Sequence, residues 1–357
     1  MTMSSRRLFS TLLNNDRVVK WGILSAGRIA SDYAKALHIT DGAIATAVAA
    51  RSPARAKEFA LQHGIEKSYG SYHDVIHNPD VDVVYIATTA DHHFEWAKEA
   101  LLARKPIVVE KPMTLCLADT TELINLARNQ NVFLMEGMWT RCFPAIHKLR
   151  QIIASGDLGR IVYCQGDFGW RFPVDNLNDR IWYKNSGGIA LDVGMYLGQI
   201  GRVAFPLATL KNVGATGSVK NGVDYSVMAT VTYQQEDDDG FLQFAITGAA
   251  NSEERLVIQG TKGRATLDAP FHVPQRLRIM VDQGRGGEAN ELAYDFPLPN
   301  DPYGGVWNNP GSIGFVHQIK EVCNALKRGM QEVDSYTWND SLEVALIVDE
   351  IIDQVRG

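Results

Sequence analysis

The feature that most constrains this chain is a rhythm. From Val18 to about Met135, short β-branched runs alternate with amphipathic stretches. Residues 18–24 predict a strand and 26–37 a helix. A second strand is predicted at 44–49, and a second helix at 53–63 with apolar residues at helical spacing. An apolar strand at 81–87 is followed by a helix running to Ala103, and 107–109 and 132–135 continue the series. Strands that alternate with helices in this way need a parallel sheet covered on both faces, because each crossover lays a helix across the sheet.

After about Pro144 the rhythm changes. One helix, 145–155, ends at Gly156, and period-two runs follow at 161–168, 210–217, 225–233, 241–249, 256–259, 265–267 and 277–281. Strands clustered without intervening helices predict a largely antiparallel second sheet. The acidic run Glu236-Asp237-Asp238-Asp239-Gly240 reads as a solvated hairpin loop rather than a metal site. Helical patterns at 314–328 and 341–356 close the chain. The fold class expected is α/β, with a dinucleotide-binding domain at 17–140, a substrate-binding and oligomerisation domain at 141–335, and a loose N-terminus at 1–16.

At 357 residues, 45% apolar and 21% charged, the chain has material for two cores. A net charge of −6 argues against a nucleic-acid partner, and no run of eighteen apolar residues predicts a membrane span. Four dispersed cysteines without a C-x-x-C fit free thiols in a reducing compartment. The start Ser5-Arg6-Arg7-Leu8-Phe9 has a twin-arginine look, and the Arg, Ser and Leu content before Asp16 is of the transit-peptide kind. Its apolar stretch is too short for a leader, so a cytoplasmic location is the expectation, with organelle targeting as the alternative.

The turn after the first strand reads Ser25-Ala26-Gly27-Arg28-Ile29-Ala30. It is a degraded G-x-G-x-x-G/A fingerprint: Ser25 stands where the first glycine belongs, Gly27 lets a pyrophosphate approach, and Ala30 permits close helix packing. A pyrophosphate there would meet free N–H groups at the next helix N-terminus. The second strand ends at Arg51-Ser52, with Arg55 one helical step on and no acid in the place that binds a ribose 2′-hydroxyl. Guanidinium and hydroxyl groups suit a 2′-phosphate, so NADP is the expected cofactor.

The strand at 107–109 runs into Glu110-Lys111-Pro112, at the carboxyl end where open α/β sheets place ligands. Further on, a helical segment carries Asp192 and Tyr196 at i, i+4, which on an α-helix puts them about 6 Å apart on one face. Glycines at 187, 188 and 194 leave room for a ligand or a neighbouring backbone. Taken with Trp139-Thr140-Arg141 and the Gly-Asp-Leu-Gly turn at 156–159, these motifs in this order resemble the Gfo/Idh/MocA oxidoreductases. Within that family they are most like the branch of dimeric dihydrodiol dehydrogenases and NADP-linked D-xylose dehydrogenases.

The resemblance runs from about residue 17 to 353. It implies a Rossmann domain, a C-terminal domain with an open sheet, and a last helix (341–356) packed back on the first domain. It places Lys111, Asp192 and Tyr196 in the active site, and Thr88, His93 and Glu110 with the fingerprint residues around the cofactor. Three departures bear on the pocket rim or fingerprint: Ser25, the pair Thr89-Ala90 ahead of His93, and Asn185-Ser186-Gly187-Gly188 in place of a richer glycine run.

The chemistry expected is hydride transfer from a hydroxyl-bearing carbon, with Tyr196 as general acid/base and Lys111 lowering its pKa. A free tyrosine sits near pKa 10, and an ammonium about 4 Å away supplies up to roughly 4 kcal/mol at an effective dielectric of 20. Lys111 as the proton carrier, with Tyr196 positioning, stays open. Trp139, Arg141, Phe168, Arg171, Arg180 and Tyr183, with Trp170 and Trp182, offer aromatic faces and cationic donors for a neutral cyclic diol or aldose. The substrates expected are D-xylose, another aldose, or a trans-dihydrodiol; glucose–fructose oxidoreductase and 1,5-anhydrofructose reductase activities are alternatives, as is a non-catalytic NADP sensor. No metal is expected, since His92 and His93 are adjacent and point apart. Apolar residues on both faces of strands 227–233 and 241–247 predict a homodimer through the second sheet.

Overall fold

A computed structural model describes residues 17–282 and 290–357; the N-terminal targeting question lies outside them. The chain divides into two compact units whose sequences interleave. The first comprises residues up to Met113, Thr121–Trp139 and Pro299–Trp338; the second comprises Thr114–Thr120, Thr140–Leu298 and Asn339–Gly357.

In the first unit, β1 (Val19–Leu24), β2 (Ala43–Ala49), β3 (Lys67–Tyr69), β4 (Val83–Ile86), β5 (Ile107–Val109) and β6 (Leu134–Glu136) form a parallel sheet in the order β3-β2-β1-β4-β5-β6. That is the doubly wound dinucleotide-binding order, whose ligand crevice opens where the strand order reverses, at the carboxyl ends of β1 and β4. β1, β4, β5 and β6 are almost wholly buried, as strands covered on both faces are. Their crossovers are α1 (Arg28–His38), α2 (Pro53–His63), the short α3 (Tyr72–Ile76), α4 (His93–Leu102) and α5 (Leu117–Gln130). Residues from beyond position 299 complete this unit. The carboxylate of Asp32 on α1, fully buried, accepts from the backbone and side-chain nitrogens of both Asn308 and Asn309 at 2.9–3.2 Å. Phe315 packs on Tyr33.

In the second unit, α6 (Pro144–Ala154) precedes β7 (Ile161–Gly169), and α7 (Met195–Gly198) and α8 (Ile200–Ala204) precede the long β8 (Thr209–Lys220). Next come β9 (Val223–Gln234), β10 (Asp239–Thr247), β11 (Leu256–Gly260), β12 (Gly263–Leu267), β13 (Arg276–Val281) and β14 (Asn290–Asp295). The eight strands run β14-β13-β12-β11-β7-β10-β9-β8, antiparallel throughout except for the β7–β10 pair. The acidic run falls at the β9–β10 hairpin, as its composition predicts. The chain ends with α9 (Phe315–Lys327) in the first unit and α10 (Trp338–Arg356), most of which belongs to the second. There Gln354 bonds Val213 O and Ala215 N, covering the free edge of β8.

Two expectations change. The domain edges are not the continuous halves 17–140 and 141–335, because hydrogen bonds such as Asp32–Asn308 tie 299–338 to the first unit. The outer face of the second sheet is also less apolar than the strands suggest. On β9, Val227, Ala229, Val231 and Tyr233 all point inward, leaving Ser226, Met228, Thr230 and Thr232 outside. Tyr163, Val219, Met228, Phe241 and Leu292 are the large apolar residues these strands expose.

Candidate active site

The nucleotide end is built at the crevice of the first sheet. Ser25 leaves β1 in the left-handed region, φ 102°, its N–H held by Ala49 O at 2.9 Å. A serine there carries strain that glycine avoids, of order 1–3 kcal/mol. Gly27 ends the turn and caps α1; a Cβ on it would meet Ser25 Oγ at 3.3 Å. No acid occupies the first turn of α1, and among the described residues no side chain caps it. Arg55 reaches across from α2 to Ala26 O at 3.4 Å, and Ser52 caps α2 through Arg55 N. Arg51, Ser52 and Arg55 therefore stand beside the fingerprint loop, both arginines exposed. Arg51 and Arg55 form no ion pair with a carboxylate among the described residues. Across the crevice Thr88 follows β4, and its hydroxyl oxygen is buried without a partner among the described residues. A bare helix N-terminus, a loop without Cβ at Gly27, an unpartnered hydroxyl and two exposed guanidinium groups fit the phosphates of a dinucleotide.

Lys111 follows β5 in a cis peptide with Pro112. Behind it, buried Glu110 accepts from Tyr85 Oη at 2.5 Å and from Lys111 N at 3.2 Å. Burial pushes the Glu110 carboxyl up, while the Tyr85 hydrogen bond and the Lys111 charge pull it back. Glu136, also buried, accepts from Met113 N at 2.9 Å and Tyr336 Oη at 3.2 Å, fixing the turn beyond the proline. His93 is buried with Nδ1 2.7 Å from Pro112 O and Nε2 3.1 Å from Thr88 O. A neutral ring can donate to only one of them. Burial pushes its pKa down, and the two carbonyls offset part of that. Its place is a brace between the Thr88 and Lys111 loops.

The second unit carries the other set. The segment Ala190–Gly194 is a π-helical turn rather than the α-helix the i, i+4 spacing assumed, and such turns recur at functional sites. Asp224, fully buried, anchors its start by accepting from Ala190 N at 2.6 Å, and is itself paired with Arg356 Nη2 at 2.5 Å. Gly188, φ 105°, lies so close to this pair that any Cβ would overlap Asp224 and Arg356. Gly188 thus makes room for the protein's own ion pair, and Gly187 for the carbonyls of Ile181 and Tyr183. Asp192 is buried, and Arg180 Nη1 donates to its Oδ1 at 2.6 Å. Asp192 above all favours the charged form of Arg180, with a smaller contribution from Tyr196. The Tyr196 ring lies 5.4 Å from Phe168 and 5.5 Å from His272, and His272 stacks on Phe168 at 4.8 Å. His272 Nδ1 is 2.6 Å from Glu254 Oε2. An aromatic wall, an acid–guanidinium pair and a phenol are thereby gathered.

Of the residues expected to bind substrate, Phe168 and Arg180 fall in this cluster. Arg171 and Tyr183 are exposed on neighbouring loops. Arg141 is not a substrate donor: it is 2% exposed, bonding Gln199 O at 2.9 Å and Asp340 at 3.4 Å inside the second unit. A guanidinium in a motif reads as available, but this one fills a core ion pair. Trp139 is buried in the first unit against Phe315, 4.6 Å between rings. His272 and Glu254 went unnoticed, since nothing in their spacing ties them to Tyr196; the sheet brings them together.

Residues 19–138 match the family described as Gfo/Idh/MocA oxidoreductases with an NAD-binding Rossmann fold, and residues 146–266 match the family's C-terminal domain. The chain belongs to the Gfo/Idh/MocA oxidoreductases. It is 33% identical to the trans-1,2-dihydrobenzene-1,2-diol dehydrogenase of Sus scrofa over 338 residues, covering 93% of this chain and 96% of that one. It is also 33% identical to the Homo sapiens enzyme of that name, with the same coverage. Among solved structures, levoglucosan dehydrogenase with NADH and levoglucosan superposes with a TM-score of 0.80 at 21% identity, covering 94% of this chain and 96% of that one. A 3-ketoreductase from Actinomadura kijaniata with NADP and TDP-benzene gives 0.77 at 21% identity, covering 94% and 98%. The chain is thus an oxidoreductase that uses a nicotinamide dinucleotide. No helix among the described residues is long and apolar enough to cross a membrane.

Proposed function

We propose that this protein is an NADP-dependent dehydrogenase of neutral cyclic vicinal diols or aldoses, of the trans-dihydrodiol or D-xylose type. The observation that carries NADP is the set Arg51, Ser52 and Arg55 beside the fingerprint loop. The aromatic wall of Phe168 and His272 beside Tyr196, with Asp192 held by Arg180, supports a hydroxylated ring as substrate: one face stacks while the polar pair reads hydroxyls. The dihydrodiol dehydrogenase relatives favour the same class.

The nicotinamide supplies the hydride acceptor. Tyr196 takes the proton from the hydroxyl as the carbon gives up hydride, and Lys111 lowers the phenol's pKa by favouring phenolate. Asp192 accepts a hydrogen bond from a neighbouring hydroxyl, oriented by Arg180. The protein is a homodimer through the outer face of the second sheet, where Tyr163 and Phe241 pair across β7 and β10, and works in the reducing cytoplasm, as its free cysteines allow.

One assay tests the reaction. Following 340 nm absorbance with xylose, glucose, a trans-dihydrodiol and anhydrofructose should give NADP-linked turnover on a diol or aldose alone. Bound nucleotide with turnover only when two sugars are mixed would overturn it, as would tight NADPH binding with no turnover at all. A single monomer boundary at micromolar concentration in sedimentation velocity would refute the dimer.

A further inference from the structure

We propose that His73, His77 and Glu99 form a binding site for a divalent first-row metal ion of the zinc kind. None of the three has a role in the reaction above. His73 lies in α3, and His77 N bonds His73 O at 2.9 Å, so one helical turn sets both imidazoles on one face. The helix α4 brings Glu99 to the same place. His73 Nδ1 is 3.3 Å and His77 Nε2 3.6 Å from Glu99 Oε1, and all three donor atoms lie within 4.8 Å of one another.

In a tetrahedral site with bonds of about 2.0–2.1 Å, neighbouring donors stand about 3.3 Å apart. The two histidine–glutamate separations are already near that value. The imidazole pair is exposed and closes the remaining gap by side-chain rotation. The His73 ring is seated edge-on to Trp96 at 5.3 Å, and Trp96 rests on Tyr72 at 4.9 Å, so part of the rotamer ordering is already met. Two imidazoles and a carboxylate suit zinc and its first-row neighbours, whereas calcium and magnesium favour all-oxygen sets. Three protein donors leave the fourth position to water. The bound ion would bridge α3 to α4 and stabilise the folded state by mass action.

The test uses the full chain, untagged and stripped with a chelator, titrated with zinc chloride by calorimetry. One zinc per chain is expected. Changes outside the direct ligands of zinc sites already cost about 10–100-fold, so H73Q/H77Q and E99Q should each bind at least tenfold more weakly. Cys116→Ser should bind as the wild type does. Cobalt(II) on the wild-type protein should show tetrahedral d–d absorption without a thiolate charge-transfer band, a readout independent of how any variant folds. Zinc bound equally by wild type and H73Q/H77Q, no zinc bound by wild type, or a thiolate band would each overturn the assignment. In those cases the three residues are an ion-pair cluster, formed only when the imidazoles are protonated.

Discussion

The imidazole of His272 stands against the phenol of Tyr196, 5.5 Å between ring centres, while its Nδ1 lies 2.6 Å from Glu254. The carboxylate lies against the imidazole, and the imidazole stacks with Phe168 to wall one side of the phenol. His272→Ala should lower kcat by about ten- to a hundredfold, as small misplacements of a reacting group do. NADPH affinity, read by fluorescence titration, should stay unchanged. A loss of nucleotide binding instead would mark His272 as a general support of the fold.

Tyr196→Phe removes the proton carrier and keeps the ring. A positioned acid/base contributes about 10²–10⁴-fold, so kcat should fall by that much. On the proposed role of Lys111, Lys111→Met should move the ionisation below which kcat for oxidation falls to higher pH, because the phenolate form of the base is less favoured. Near-full kcat and an unaltered pH profile in Tyr196→Phe would transfer the role to Lys111.

Arg51→Asp places a carboxylate where a 2′-phosphate is expected. Losing a charge-assisted contact is worth roughly 1.5–3 kcal/mol, about ten- to a hundredfold in affinity. The ratio of NADPH to NADH dissociation constants should rise by at least that factor. Wild-type protein binding NADH as tightly as NADPH would remove the basis for the NADP assignment.

His63 predicts an acid-sensitive fold. Burial, aided by Lys35, lowers its pKa from 6.5 to about 4, while its Nε2 sits 3.1 Å from Ser31 Oγ on α1. Above pH 6.5 the ring is neutral in both folded and unfolded chains, and its contribution is fully present. As pH falls from 6.5 towards 4, only the unfolded chain takes up the proton, so stability drops, by at most about 2 kcal/mol at pH 5. His63→Gln should flatten that part of the curve in denaturant unfolding measured at pH 7.5 and pH 5. An equal slope in both proteins would discount the histidine.

The first sheet was readable because its strands are buried on both faces and separated by long amphipathic helices; Val83–Ile86 and Ile107–Val109 could scarcely be anything else. Short elements escaped: Lys67–Tyr69 and Tyr72–Ile76 are too brief to show a period, and Asn290–Asp295, NELAYD, shows no apolar–polar alternation. At the site, local motifs were legible and long-range pairings were not. Ser25, Gly27, Lys111, Asp192 and Tyr196 announce themselves by neighbours in sequence. Arg141 misled because its partner Asp340 is 199 residues away. His272 was silent for a similar reason, since only strand order carries it to Tyr196.

The interleaving of the two units has a consequence for synthesis. A ribosome that has translated every strand of the first sheet has still to make residues 299–338. Until it does, Asp32 lacks the four nitrogens of Asn308 and Asn309, Tyr33 lacks Phe315, and Glu136 lacks Tyr336. A carboxylate destined for full burial must meanwhile stay hydrated, so the nascent first unit stays open at α1 while the whole second sheet emerges behind it. Cutting the gene at the end of the Rossmann strands would therefore yield a fragment with its nucleotide crevice drawn but its flank unsealed.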